Sequence, residues 1–236
     1  MDLFEAIKTR RSAKKYLDKK VPDDLIGAVI EAGGMAPSSG DKQNWKFIVV
    51  KNPSTQEKIS KHCNEQYWMN GAPVHIVVCS DDAYIQKFYG DRGKNMYSIQ
   101  NCAAAVQNML LMAHGLGLGA CWVSEFNDVE LANDLGLGSG ARVQAVVTLG
   151  YTTKEMNKKI LKPLKNIMFL ESYGGSVKSL APFLYDWSVI VSDHAKSVSN
   201  DLRDILKSEL KGLSSEIDDN WKKISKKINA WYKRKY

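Results

Sequence analysis

The sequence predicts a protein of mixed helices and strands followed by a helical extension, on three observations. Short β-branched runs at Lys46–Val50, Ala72–Cys79 and Val143–Leu149 alternate with segments of helical period. The stretch Ser98–His114 is apolar over most of its surface, as a helix central to a fold or an interface is. From Ser176 the texture changes. Apolar residues from Val198 to Trp231 then recur three or four apart among Lys, Asp, Glu and Ser.

Residues 2–9 read as a first helix. A second starts at Pro22, with Asp23 and Asp24 at its positive end and Leu25, Ile26, Val29 and Ile30 as a buried stripe, and stops at Gly33-Gly34. Residues 54–69 read as a helix, Ala120–Val123 as strand-like and 128–136 as a short helix. The segment Asp81–Asn95, with Tyr84, Phe88 and Tyr89, is placed to lie over a pocket. Gly115, Gly117 and Gly119 follow a helix and precede a strand. That is the reverse of a dinucleotide fingerprint, so they read as a helix stop and tight turn.

Two stretches carry the chemistry. Arg10-Arg11-Ser12-Ala13-Lys14-Lys15-Tyr16 packs four cations, a hydroxyl and a ring into seven residues. Fixed positive charge beside a hydroxyl suits a phosphate or an electron-rich anionic ring. A solvated basic helix end gives the same pattern. Ala36–Trp45 is a turn-rich loop of hydrogen-bonding groups running into a buried strand, a common place for a ligand.

Composition sets bounds. An apolar fraction of 44% supplies a normal core, and the net charge of +7 favours anionic partners. Cys63, Cys79, Cys102 and Cys121 form no CxxC pair, so neither a zinc ribbon nor an iron–sulfur cluster is signalled; they read as thiols of a reducing cytoplasm. No signal peptide and no membrane-spanning run is read. His62, His75, His114 and His194 lack ligand spacing, and no metal site, nucleophile motif or catalytic acid–base set is expected.

Taken together, the RRS-x-K-x-Y run at 10–16, the APSSGxxQxW loop at 36–45, the HGLGLGACW turn at 114–122, the LGY at 149–151 and Glu171-Ser172-Tyr173-Gly174 resemble the FMN-dependent nitroreductase family. The resemblance covers about residues 1–175, which it makes an FMN-binding domain, and leaves 176–236 as a C-terminal extension of amphipathic helices. It implies an α+β fold, a mixed sheet sandwiched by helices in a domain-swapped type of homodimer. The apolar helix around Ala103-Ala104-Ala105 and Met109–Met112 is expected to expose more hydrophobic surface than a lone subunit could cover.

It also implies a site. Arg10 and Arg11 would suit the FMN phosphate, and Ser12 the ribityl chain or pyrimidine edge. Lys14 would sit near N1 and O2, where reduced flavin carries negative charge. Pro37, Ser38 and Ser39 would approach from the other subunit, with Gln43 near the ribityl or pyrimidine side. Val123, Ser124 and Glu125 would line the ring, with a backbone N–H aimed at N5. This chain departs from the family at Asp41 (usually Asn) and Asn44 (usually Pro). It also lacks a late phosphate-binding Arg near Leu161, where Lys159 or Lys162 would substitute as a point charge.

The implied activity is ping-pong reduction of a nitroaromatic, a quinone or another conjugated small-molecule acceptor by NADH or NADPH through FMN, with no side-chain acid or base. The alternative is a non-catalytic flavin-binding protein recruited to a membrane or nucleic acid by its basic tail.

Overall fold

The β-branched runs pair into one sheet. In the computed structural model, which describes residues 1–153 and 160–177 together with Leu180, Phe183 and Lys226, the strands are β1 (Trp45–Val50), β2 (Val74–Asp81), β3 (Gly119–Val123) and β4 (Ala141–Gly150). Their order is β1-β2-β4-β3, and each neighbouring pair is antiparallel. Among the described residues, the parallel component of the expected mixed sheet is an isolated bridge from Ser12 to Ala120 beside β3.

The helices are α1 (Leu3–Thr9), α2 (Asp23–Gly34), α3 (Pro53–His62), α4 (Asp82–Arg92), α5 (Ser98–Gly115) and α6 (Asp128–Asp134). Side-chain caps start several of them. Asp2 accepts from the Phe4 amide, Asn52 from Ser54 and Thr55, and Asn127 from Glu130. The helix expected over 54–69 is shorter than predicted. It stops at His62 because Asn64 and Glu65 take left-handed backbone angles, φ 57° and 55°. The chain then turns through a 3₁₀ segment, Tyr67–Gly71, before β2.

The sheet lies between two apolar layers. On one face Ile76, Val78, Val147 and Leu149 meet Val29 of α2 and Ala105, Val106, Met109 and Ala113 of α5. On the other, Val77, Cys79, Val123 and Val146 meet Ile59 of α3, Met69 and Leu131 of α6. Each fully buried side chain of this size contributes about 1.5–3 kcal/mol. The continuous apolar run of β2 follows from burial on both faces.

This packing corrects the reading of α5. Its Ala105, Met109 and Leu110 are buried within their own subunit, and Met112 is its only exposed residue in the Met109–Met112 stretch. The large apolar side chains left most exposed on this unit include Leu3, Ile7 and Met35, at 68%, 53% and 71%.

All four cysteines are free and buried. The chain divides into two compact units after Lys159. The second carries a 3₁₀ turn at Leu164–Asn166. The apolar stripe read from Val198 to Trp231, His194 and most of the region after Ser176 lie outside the described residues. Among the described residues, no helix is long and apolar enough to cross a membrane.

Candidate functional site

The basic run begins where α1 meets the end of α5. The Thr9 hydroxyl lies 2.8 Å from His114 Nε2. Arg10 and Arg11 come next. Burial holds the His114 imidazole below its ordinary pKa, and these two cations press it in the same direction. The Arg11 guanidinium donates to the Lys8 and Arg10 carbonyls, both at 2.8 Å.

The chain then leaves the helix and lies along β3. Ser12 bridges Ala120, and the Ala13 amide donates to the Ala120 carbonyl at 3.1 Å. Tyr16 fixes the far end: its phenol bonds the Ala13 carbonyl at 2.8 Å and the Thr148 hydroxyl at 2.6 Å. Burial pushes that phenol's pKa well up, so it stays protonated. The Leu17 amide reaches the Tyr151 carbonyl at 2.8 Å, and the Thr152 hydroxyl donates to Lys15 at 2.8 Å.

Two glycines make this seat. Gly119 and Gly150 are cross-strand partners in the β3–β4 ladder. A Cβ on Gly119 would stand 2.8 Å from Ala13 Cβ and 2.8 Å from Thr152 Cγ2; one on Gly150 would stand 2.6 Å from Pro73 Cδ and 2.9 Å from Tyr16 Cδ1. The last glycine of the 115–119 run is therefore a packing residue, not part of a turn.

Three members of the run act electrostatically on one thiol. Burial raises the pKa of the Cys121 thiol, while the Ser12 hydroxyl and the charges of Lys14 and Arg10 act against that rise. Ser12 and Lys14 are both exposed. The Lys14 ammonium also sits 5.2 Å from the centroid of the Trp68 ring, a cation–π contact. Beyond β3, Val123 is buried in the core, so its side chain serves packing and only its backbone remains for a ligand. Ser124 and Glu125 are exposed, and Glu125 accepts from the Asn64 amide at 3.0 Å.

The polar loop is held elsewhere. Asn101, 3% exposed, accepts from the Ser39 amide at 3.0 Å and its hydroxyl at 3.2 Å. It donates to Asn44 at 2.7 Å, and Asn44 donates to Ser98 at 3.0 Å. Asn44, a departure from the family pattern, thus anchors the loop through buried bonds. Ser38 Oγ accepts from the Gln43 amide at 3.0 Å, Gln43 donates to Asp41 at 2.9 Å, and Pro37 is exposed. Gly40, Asp41 and Gln43 all have positive φ, and a Cβ on Gly40 would overlap the Tyr89 hydroxyl. Asn101→Ala should cost about 2–4 kcal/mol, because it strands the Asn44 side-chain oxygen and the Ser39 N–H together. Denaturant unfolding reads that loss; a change under about 0.5 kcal/mol would show that the loop does not depend on α5.

The run and the loop therefore sit at opposite ends of α5. From Asn101 to His114 the helix rises about 20 Å. Within one chain the two halves of the expected site stay apart. Lys162 is exposed in the second unit, and Lys159 lies outside the described residues.

Residues 7–68 and 63–151 match the Nitroreductase family. This chain belongs to it. The nitroreductase-family match spans more than half of the sequence. A candidate NADH dehydrogenase/NAD(P)H nitroreductase of Methanothermobacter thermautotrophicus is 43% identical over 126 residues, 53% of this chain and 62% of that protein; the match thus spans less than two thirds of that relative. The FMN reductase [NAD(P)H] of Bacillus subtilis is 31% identical over 80 residues, 34% of this chain and 32% of that protein. The crystal structure of a candidate NADH dehydrogenase/NAD(P)H nitroreductase from Parabacteroides distasonis superposes with a TM-score of 0.65 at 26% identity, covering 72% of this chain and 98% of that one.

In this nitroreductase-family chain the fold adds Trp68, Asn64, Cys121 and Asn101 to the residues named from sequence. Only Asn64 had a local signal, as an Asn where a helix could stop. The other three are joined to the site by tertiary contacts.

Proposed function

We propose that two copies of this chain form an FMN-dependent oxidoreductase that takes electrons from NADH or NADPH and passes them to a nitroaromatic, quinone or related conjugated acceptor. The oxidoreductase class follows from membership of the nitroreductase family. The observation that carries the rest is the course of the run along β3, which places Arg10, exposed Ser12 and exposed Lys14 on one strip of chain with the Lys14 ammonium against Trp68. Cations for a phosphate and an electron-rich ring edge, a hydroxyl for a polyol and an aromatic neighbour together fit FMN. The names of the two relatives, one an NAD(P)H nitroreductase and one an FMN reductase, support the same reading.

Bound FMN would supply the hydride chemistry that links donor to acceptor. The chain's residues bind and orient. Arg10 and Arg11 hold the phosphate, Ser12 the ribityl or pyrimidine edge, and Lys14 places charge at the pyrimidine side. Exposed Pro37, half-buried Ser38 and Ser39, and Gln43 complete the site from the partner, because their own chain holds them an α5 length away. Ser124 and Glu125 border the ring, and the Asn64 bond steadies Glu125. No placed side-chain acid or base is required: the hydride carries the electron pair, and the protons that complete reduction of a quinone or nitro group come from solvent.

The purified protein should be yellow, turn over with NAD(P)H and give parallel initial-rate plots. Sedimentation should give a dimer. A colourless protein that fails to bind added FMN would refute the cofactor, and an active flavin-bound monomer would refute the shared site.

A further inference from the structure

A second concavity lies beyond the basic run. It is a cavity of about 520 Å³ between the Leu17–Val21 segment, the start of α3 and the Asn70–Val74 approach to β2. Its size suits a small organic ligand. Leu17, Val21, Pro73 and Val74 supply apolar wall.

Two amides in it are pinned by their inner ends. Gln56, 5% exposed, donates its side-chain nitrogen to the Val50 carbonyl at 3.2 Å and the Ala72 carbonyl at 3.4 Å. With both hydrogens committed, the group it has left to offer the cavity is a carbonyl oxygen, an acceptor. Asn70 is its mirror. Its Oδ1 bonds the Ser60 hydroxyl, which leaves its amide nitrogen as a donor. Ser60 Oγ also donates to the Gln56 main-chain carbonyl at 3.0 Å, and Gln56 and Asn70 both line the cavity. One lining that offers both an acceptor and a donor over apolar wall suits the edge and face of a nitrogen heterocycle. Adenine, with an amino donor next to a ring-nitrogen acceptor, is read by amide side chains in this way.

The rim adds charge. Lys19, Lys20 and Lys51 share the lining with Asp18 and Asp23. Lys51 pairs with Asp23 at 2.6 Å, and Lys19 lies 4.0 Å from the Tyr151 ring centroid. Three ammonium groups against two carboxylates leave a cationic excess, with Lys20 paired to neither carboxylate.

We propose that this groove is a nucleoside-phosphate site, in which Gln56 and Asn70 read the base edge and Lys20 and Lys51 take the phosphates. It uses none of the residues assigned to FMN and stands or falls independently of that reading. Two sources share the chemistry: a free nucleotide, and the adenosine-phosphate half of the pyridine-nucleotide donor.

Calorimetric titration of the full chain with ADP and with adenosine tests it. Both should bind. Lys20→Glu should weaken ADP about tenfold while leaving adenosine unchanged. Gly71→Leu should abolish both, because Gly71 lines the groove and a Cβ there meets nothing within 4 Å, so the side chain fills open space without disturbing the fold. Both variants should keep the parent's melting temperature and FMN binding. ADP that competes with NADH in steady state identifies the donor as the source; ADP that binds without changing the NADH KM identifies a free nucleotide; either supports the site. Absence of ADP binding at millimolar concentration, or ADP binding undiminished in folded Gly71→Leu, overturns it.

Discussion

Gly119→Ala should unseat the basic run. The new Cβ arrives 2.8 Å from Ala13 Cβ and 2.8 Å from Thr152 Cγ2, closer than carbon atoms approach. Neither neighbour is the free end of a long side chain, so backbone must shift. Overpacking of this kind costs about 1–3 kcal/mol, or very roughly 2–12 °C in melting temperature for a chain of this length. The functional loss should be larger. Ala13 lies between Ser12 and Lys14, and its amide carries the bond to Ala120. Moving it displaces both ligand-facing groups, and FMN affinity should fall more than tenfold. Gly115→Ala meets nothing within 4 Å and should leave both properties intact. Thermal unfolding and FMN fluorescence titration check the pair. Parental FMN affinity in folded Gly119→Ala would detach the run from the cofactor.

Lys14→Ala should change the flavin's electronics more than its affinity. The ammonium is exposed, so its field is partly screened. A cation at the pyrimidine side favours the more electron-rich oxidation state, and its removal should lower the midpoint potential by about 30 mV, the two-electron equivalent of a factor of ten. Reduction by NAD(P)H should slow by a similar factor. Lys14→Arg keeps the charge and the stacking on Trp68 and should be milder. Spectroelectrochemistry and stopped-flow reduction give both quantities. An unchanged potential with slower reduction would make Lys14 a contact for the donor instead.

The elements were legible in sequence where one pattern dominated. The unbroken apolar run of β2 and the acidic first turn of α2 could be read locally, because burial on both strand faces and charge at a helix start leave short-range marks. The basic run was also visible, though not its course along β3. Cys121 looks like any buried thiol until Ser12 and Lys14 are folded over it. Asn101 reads as one more polar residue of a long helix; its role appears only when Asn44 arrives from fifty-seven residues away. The overextended α3 failed for a different reason. Helical periodicity continues past His62, and the left-handed pair Asn64–Glu65 overrides it.

The length of α5 has a thermodynamic corollary. If one flavin needs the His114 end of one chain and the Asn101 end of another, cofactor occupancy and subunit association become linked equilibria. Whatever factor the dimer adds to flavin affinity, the flavin must return to dimer affinity. Dilution would then bleach the protein, and added FMN would reassemble it. A rigid rod of helix would thus make the colour of the solution a gauge of protomer concentration.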